Sequence, residues 1–213
     1  MARAPKKKRV DEKSIQQLWE RVATWLRESA PADVTLPEGA SESDIEEAES
    51  QTGLKFPNDL RETYRLHNGS DRIWLFEQGY LMPLTKPTNL PRRKQALYSA
   101  IVDSWRAMNE IMNKGYFPKV TSSGSHSKQI KPLWWSSCWL PIVANKSGDH
   151  VCVDLDPARG GHIGQLLDWW HEQGPTKVLA KGLTDWLTMF VKDLESGKFR
   201  FDAASRALTR IRQ

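Results

Sequence analysis

Apolar residues recur along this chain with two different periods, and the period separates helices from strands. Ile15, Leu18, Trp19, Val22 and Leu26 fall at helical spacing behind Ser14, which forms a capping box with Gln17, so residues 15–28 are predicted as an amphipathic helix. Ser43 with Glu46 makes a second box ahead of a short acidic helix ending near Gly53. Pro57 suits the first turn of a third helix, continued by Leu60 and Tyr64 and closed by Asn68-Gly69. Leu183, Trp186, Leu187, Phe190, Val191 and Leu194 follow the i, i+3, i+4, i+7 rule without a break and predict a last helix.

Between these helices the period shortens. Cys138 to Val143 and Asp149 to Leu155 are β-rich runs flanking the polar loop Asn145-Lys146-Ser147-Gly148, and Ile163 to Leu167 reads as a third strand of a meander. Pairing Ala144 with Asp149 places Ile142 opposite Val151, Leu140 opposite Val153 and Cys138 opposite Leu155, which makes one face wholly apolar. The other face is mixed: Trp139 opposite Asp154, Pro141 opposite Cys152 and Val143 opposite His150. Such a face either recognises a partner or is covered by the rest of the chain. From 92 to 113, Ala96, Leu97, Ala100, Ile101, Trp105, Met108 and Met112 predict a long helix, and the polar stretch Thr121 to Ser127 predicts a mobile loop.

Two blocks of the chain carry a family resemblance. The first runs Leu36-Pro37-Glu38-Gly39-Ala40-Ser41, an acidic helix to Glu49, Gly53-Leu54-Lys55-Phe56-Pro57, then Tyr64-Arg65-Leu66-His67-Asn68-Gly69. The second runs Trp139-Leu140-Pro141-Ile142, a Gly148-Asp149 turn, Asp154-Leu155-Asp156-Pro157 and Gly161-x-x-Gly164-Gln165. In this order they resemble the SUKH superfamily, and within it the group typified by the fungal Smi/Knr cell-wall assembly regulators. The likeness covers roughly residues 14–195, and the segment 85–132 interrupts the two blocks. The resemblance implies a binding module without catalytic residues of its own. Bacterial proteins of this kind act as immunity proteins that bind a secreted toxin domain, commonly a nuclease or deaminase, whereas the fungal relatives are regulatory scaffolds.

Length and composition agree with one α+β domain, a twisted antiparallel sheet packed by helices on one face with an inserted helical segment. No apolar run approaches the roughly 18 residues that span a bilayer, and no apolar stretch follows the basic start, so the expected location is cytoplasmic with no membrane contact. Cys138 and Cys152, the two cysteines, read as reduced thiols in or near the core.

The net charge of +5 conceals a division. Residues 1–13 and 196–213 each carry +4, leaving −3 on the body, and both ends are read as basic flexible tails. Within the body, Glu28 to Glu62 carries −8 and Lys86 to Lys131 carries +7, a dipolar surface able to orient a charged partner. The run Pro5 to Val10 is of the nuclear-import type and, in a host without a nucleus, only a basic arm touching nucleic acid weakly.

Signals for catalysis and metal binding are weak. Asp154-x-Asp156 has the carboxylates a hard cation wants, but beside Pro157 and Gly160 it is better read as capping turns. The five histidines lack metal-ligand spacing, neither cysteine sits in a CxxC pair, and no GxSxG is present, so no enzyme, cofactor or metal is expected. Of ten tryptophans, the pairs Trp134-Trp135 and Trp169-Trp170 should each place one member in the core and the other nearer the surface, if both lie on strands.

The expected function is therefore an immunity protein that binds and neutralises a toxin domain, with a cell-wall regulatory scaffold as the alternative and a nucleic-acid binder using the basic segments as a further one. The expected partner-binding residues are Glu42, Asp44, Glu46, Glu47 and Glu49 of the acidic helix, with Asp71 and the Trp139/Asp154 sheet face, docking on a basic cleft.

Overall fold

The computed structural model describes residues 14–71, 73–86, 99–118 and 128–211. The expectations for residues 1–13, for 92–98 of the long helix including Arg92, Arg93 and Lys94, and for the loop Thr121 to Ser127 lie outside these residues; the helix itself is shorter than expected, since Ser99 and Ala100 are not helical and it begins at Ile101.

Helix α1 (Ile15–Ser29) begins at the expected box: Ser14 Oγ accepts from the Gln17 amide at 3.2 Å, and Gln17 Oε1 accepts from the Ser14 amide at 3.4 Å. Helix α2 (Glu42–Thr52) starts two residues earlier than predicted, because Ser41 rather than Ser43 is the cap and Asp44 completes its box. Either serine satisfies the pattern; Ser41 prevails because Ala40, just before it, is tied by its amide to the Tyr64 carbonyl at 2.8 Å. Gly53 ends α2 at φ 69°, as its C-cap role required. Helix α3 (Asn58–Leu66) follows Pro57, and α4 (Ile101–Asn113) follows Ala100, whose extended backbone fixes the helix start.

The main sheet contains β1 (Tyr80–Leu81), β2 (Trp139–Ala144), β3 (His150–Asp154), β4 (Gln165–Trp170) and β5 (Gly174–Ala180), antiparallel and in that spatial order. The predicted register holds from Trp139↔Asp154 to Pro141↔Cys152 and then slips by one. Ala144 pairs with His150, not Asp149, because a bulge at Ile142 offsets a loop one residue longer than expected. Asn145 organises that loop, its Oδ1 accepting from the amides of Ser147 at 2.8 Å and Asp149 at 3.0 Å. The third strand is displaced too, since Ile163 is exposed and pairing begins at Gln165.

Both faces of this sheet are covered. On one lie α1, α3 and α5 (Leu183–Glu195), with Trp19, Val22, Leu60, Tyr64, Leu187 and Val191 packed towards Val151, Val153 and Leu166. On the other, Trp139, Cys152, Leu167 and Trp169 meet Met108 of α4, Ile130, Trp134 and Trp135. The mixed face is thus sealed by α4 and by the residues just before β2. Trp169 is buried and Trp170 exposed, as alternation on a strand requires. Trp134 and Trp135 are both buried, contrary to expectation, because they precede β2 and obey no strand alternation.

The carboxyl-terminal region differs most from its reading as a tail. Gly197 (φ 72°) reverses the chain after α5, and β6 (Phe199–Asp202) and β7 (Ala207–Arg210) form a hairpin. Asp202 builds its turn by accepting from the Ala204 amide at 3.0 Å and the Ser205 hydroxyl at 2.8 Å. Trp74 then pairs with β7, its amide donating to the Arg206 carbonyl and its carbonyl accepting from Leu208, while Phe199 and Leu208 enter the core.

Candidate partner-binding surfaces

The acidic helix is partly consumed by the fold. Glu49 is 3 % exposed: its carboxylate meets Arg61 Nη1 at 2.7 Å and Lys55 Nζ at 2.9 Å, and accepts from the Phe56 amide at 2.9 Å. Glu42 is bidentate to Arg65, at 2.8 and 3.1 Å, and also pairs with Arg61. These contacts rivet α2 to α3. Asp44 spends a carboxylate oxygen on the cap, and Glu47 accepts from Gln51 at 2.8 Å. Asp44, Glu46 and Glu47 remain exposed, as does Asp71, which sits beyond α3 with φ 45°. Of the expected acidic surface, Glu49 is therefore removed, and four of the five acids on α2 face outward.

Trp139 and Asp154 form no surface at all. Both have 0 % exposure, and the Trp139 indole N–H donates to Asp154 Oδ1 at 3.1 Å. Gln165 Nε2 donates to Asp154 Oδ2 and to the Gln129 carbonyl, each at 2.9 Å, and the Asp156 amide donates to Asp154 Oδ1 at 3.1 Å. Burial pushes the Asp154 carboxyl above its ordinary value against these donors. Asp156 turns away to pair with Lys131, so the two aspartates diverge. Glycine is required at 161, where a Cβ would come within 2.7 Å of the Gln129 carbonyl and 2.9 Å of Gln165 Oε1. The network is a latch that closes the stretch around Gln129 onto the Asp156-Pro157 turn; the corrected role of Trp139 and Asp154 is structural. Gln165 stood in the Gly161-x-x-Gly164-Gln165 motif without a role, and Gln129 escaped the sequence reading, since a lone amide has no spacing to reveal it.

A groove unites residues that the sequence did not assign to a site. The turn Glu77-Gln78, closed by the Phe76–Gly79 bridge, stands over α5, β5 and the hairpin. A cavity of about 280 Å³ lies there, floored by Phe76, Trp186, Phe190 and Phe199, with ring centroids 4.3 Å apart for Phe76–Trp186, 4.9 Å for Phe76–Phe190 and 5.7 Å for Phe190–Phe199. Met189, 49 % exposed, lines it. Arg210 lies over the Phe199 ring at 4.8 Å and bonds to Glu77 at 2.7 Å and Asp193 at 2.8 Å. Across Glu77 and Gln78 the groove continues into a second cavity of about 250 Å³ lined by Asn145, Asp149, His150, Asp168 and Trp170.

Titrating groups crowd this second cavity. Burial raises the Asp168 carboxyl, although Lys177 at 3.8 Å pulls the other way. Burial also opposes ionisation of Asp149, but hydrogen bonds from Asn145 and His171 outweigh it and hold that carboxyl below its ordinary value. His150 is lowered to about 4, chiefly by burial. The one sequence signal for the groove was the alternation Phe199-Arg200-Phe201-Asp202 behind Gly197, which marks a strand where a tail was read.

Among the described residues no group of three or more His, Cys, Asp or Glu side chains is gathered as metal ligands would be. No helix among them is long and apolar enough to cross a membrane.

Comparison with known proteins gives consistent results. The family model described as SMI1 / KNR4 family (SUKH-1) matches residues 39–189, which span α2 to α5. The cell wall assembly regulator SMI1 of Saccharomyces cerevisiae is 23% identical over 215 residues, covering 85% of this chain and 40% of that protein. The glucan synthesis regulatory protein of Neurospora crassa is 24% identical over 220 residues, covering 91% and 41%. The human F-box only protein 3 is 40% identical over 195 residues, covering 87% and 36%. The chain thus spans about two fifths of the length of these relatives.

Proposed function

The chain belongs to the SMI1 / KNR4 (SUKH-1) family, and from that premise we propose that it is a non-catalytic protein-binding module serving a regulatory assembly of the cell-wall or glucan-synthesis kind. One observation carries the reading. Relatives with different names, two of them regulators, match most of this chain in sequence and are more than twice its span. A segment common to such different proteins is better suited to docking a partner than to one dedicated chemistry. The toxin-neutralising reading comes from the resemblance to bacterial members and takes the acidic helix, Asp71 and the Trp139/Asp154 face as its docking surface; the burial of Trp139 and Asp154 and the pairing of Glu42 and Glu49 within the fold weaken it.

The test is a domain exchange. The matching segment of the Saccharomyces regulator is replaced by residues 14–211 of this chain, and the strain is challenged with an inhibitor of glucan synthesis. Restored resistance, compared with a strain carrying the deleted regulator, supports the proposal. A chimera that accumulates normally yet restores nothing, together with stoichiometric inhibition of a nuclease or deaminase toxin domain by the purified chain, favours the immunity reading instead.

A further inference from the structure

The groove beneath the Glu77 turn has the shape and charge of a peptide site. Its two cavities adjoin at Glu77 and Gln78, and their linings together trace a channel from α5 across β5 and β4 to the β2–β3 loop. Lys177 of β5 and Asp168 of β4 are register partners, which shows that the channel crosses the strands rather than following one. Three strand spacings of about 4.8 Å give a length of roughly 14 Å, the reach of about four extended residues at ~3.3 Å each.

The two ends differ in chemistry. At one, four aromatic rings and Met189 present an apolar floor that is open to solvent at Met189. At the other, Asp149 and the nearly buried Asp168 line a single cavity with Trp170, a residue 45 % exposed. Over the whole lining, Glu77, Asp193, Asp149 and Asp168 outnumber Lys177 and Arg210; Arg210 is committed to Glu77 and Asp193, and from outside the lining Lys198 pairs with Asp193 and His171 with Asp149. The cation nearest Asp168 is Lys177, at 3.8 Å and with a side chain 64 % exposed, so it can swing aside. Carboxylates beside an accessible indole are what a guanidinium or ammonium group binds best, through ion pairing and the ring face together.

We propose that this groove receives an extended segment of a partner protein, with a large apolar side chain seated over Met189 and the aromatic floor, and an arginine or lysine reaching the Asp149, Asp168 and Trp170 end. This rests on the protein-binding reading above and names the surface that performs it. The apolar anchor supplies affinity through burial in a preformed pocket. The basic residue sets orientation and makes association sensitive to salt. Burial already disfavours the ionised Asp168, so an incoming cation relieves that carboxylate.

The probe is a phage-displayed library of random peptides panned against the full chain, followed by fluorescence anisotropy with the enriched peptides. Enrichment of a basic residue within four positions of Phe, Leu, Met or Trp is expected. Binding should weaken about tenfold or more in Met189→Lys and in Trp170→Ala, both at exposed positions, and fall similarly in Asp168→Asn if that variant keeps its fold. The Glu46→Lys, Glu47→Lys double variant should bind as the wild type does. Enrichment of acidic peptides, affinity unchanged in Met189→Lys and Trp170→Ala, or no enrichment at all would overturn the proposal. Binding that emerges only after residues 1–13 are removed would also overturn it, by showing that the chain's own Lys6 to Val10 run is the occupant. Failure here alongside a successful domain exchange would reject the groove and leave the protein-binding module standing.

Discussion

Removing the carboxyl-terminal hairpin tests the largest difference between pattern and structure. Phe199 is 5 % exposed and Leu208 3 %, and both belong to the main core with Phe190 and Trp186. Truncating a buried Phe to Ala costs about 3 to 5 kcal/mol, and a buried Leu about 2 to 5 kcal/mol. The ion pairs of Arg210 sit at a half-exposed surface and add well under about 1 kcal/mol each. Deleting residues 198–213 removes both core residues and the strand that pairs with Trp74, a loss on the order of the 5 to 15 kcal/mol that holds a whole domain folded. Urea unfolding followed by tryptophan fluorescence is the assay. The truncated chain should lack a cooperative transition, and Phe199→Ala should shift the midpoint far more than Arg210→Ala. A truncated chain that unfolds at the wild-type midpoint would show that the hairpin is an appendage and that its contacts carry no stability.

Three further outcomes follow from named contacts. His150 titrates near 4 in the folded state against about 6.5 when unfolded, so the unfolded chain takes up the proton first. Its contribution is complete above about pH 6.5 and is lost as the pH falls towards 4, by up to about 3 kcal/mol; His67 is lowered by burial and acts with the same sign. Thermal melts at pH 7 and pH 4.5 should differ less for His150→Phe than for wild type, and equal differences would contradict the assignment. Glu49→Ala leaves Arg61 with Glu42 alone and takes the acceptor from the buried Phe56 amide, so it should cost about 1 to 3 kcal/mol, whereas Glu46→Lys with Glu47→Lys should leave the chemical denaturation curve nearly unchanged. Gly39→Ala would place a Cβ 1.8 Å from the Arg65 carbonyl oxygen, so the melting temperature should drop by several degrees or more; an unchanged melt would mean that the loop before α2 moves freely.

What the sequence revealed depended on how local the determinant was. The Ser14–Gln17 box, the Gly53 cap and the Leu183 to Leu194 stripe are decided within a few residues, and each stands where the pattern placed it. The β2–β3 register is legible up to Pro141↔Cys152 and fails beyond it, because the bulge answers to loop length and not to side-chain alternation. The hairpin was obscured by Arg200, Asp202 and Arg210, which make its edge look like a charged tail although alternate residues point inward. The groove joins the Glu77 turn, two strands, a helix and the hairpin, and no window along the chain contains them together.

The fate of Trp139 and Asp154 follows from what covers their sheet face. A carboxylate and an indole on one sheet face suggest recognition only while that face is open. Every residue of β2 from Trp139 to Ala144 is buried, including those of the mixed face, and a strand buried on both sides implies a layer on each. That second layer is the segment between the two family blocks: Met108 of α4, Ile130, Trp134 and Trp135. Once it is in place, Asp154 must find its partners inside, and Trp139, Gln165 and the Asp156 amide supply them. A partner protein can then meet the sheet only at its rim. There two surfaces differ in kind: the exposed acids of α2 offer charge without an apolar anchor, and the groove offers both. Charge alone chiefly speeds encounter, whereas a buried aromatic contact prolongs the complex, so affinity for a regulatory partner should reside in the groove and the salt dependence of association should be shared with α2.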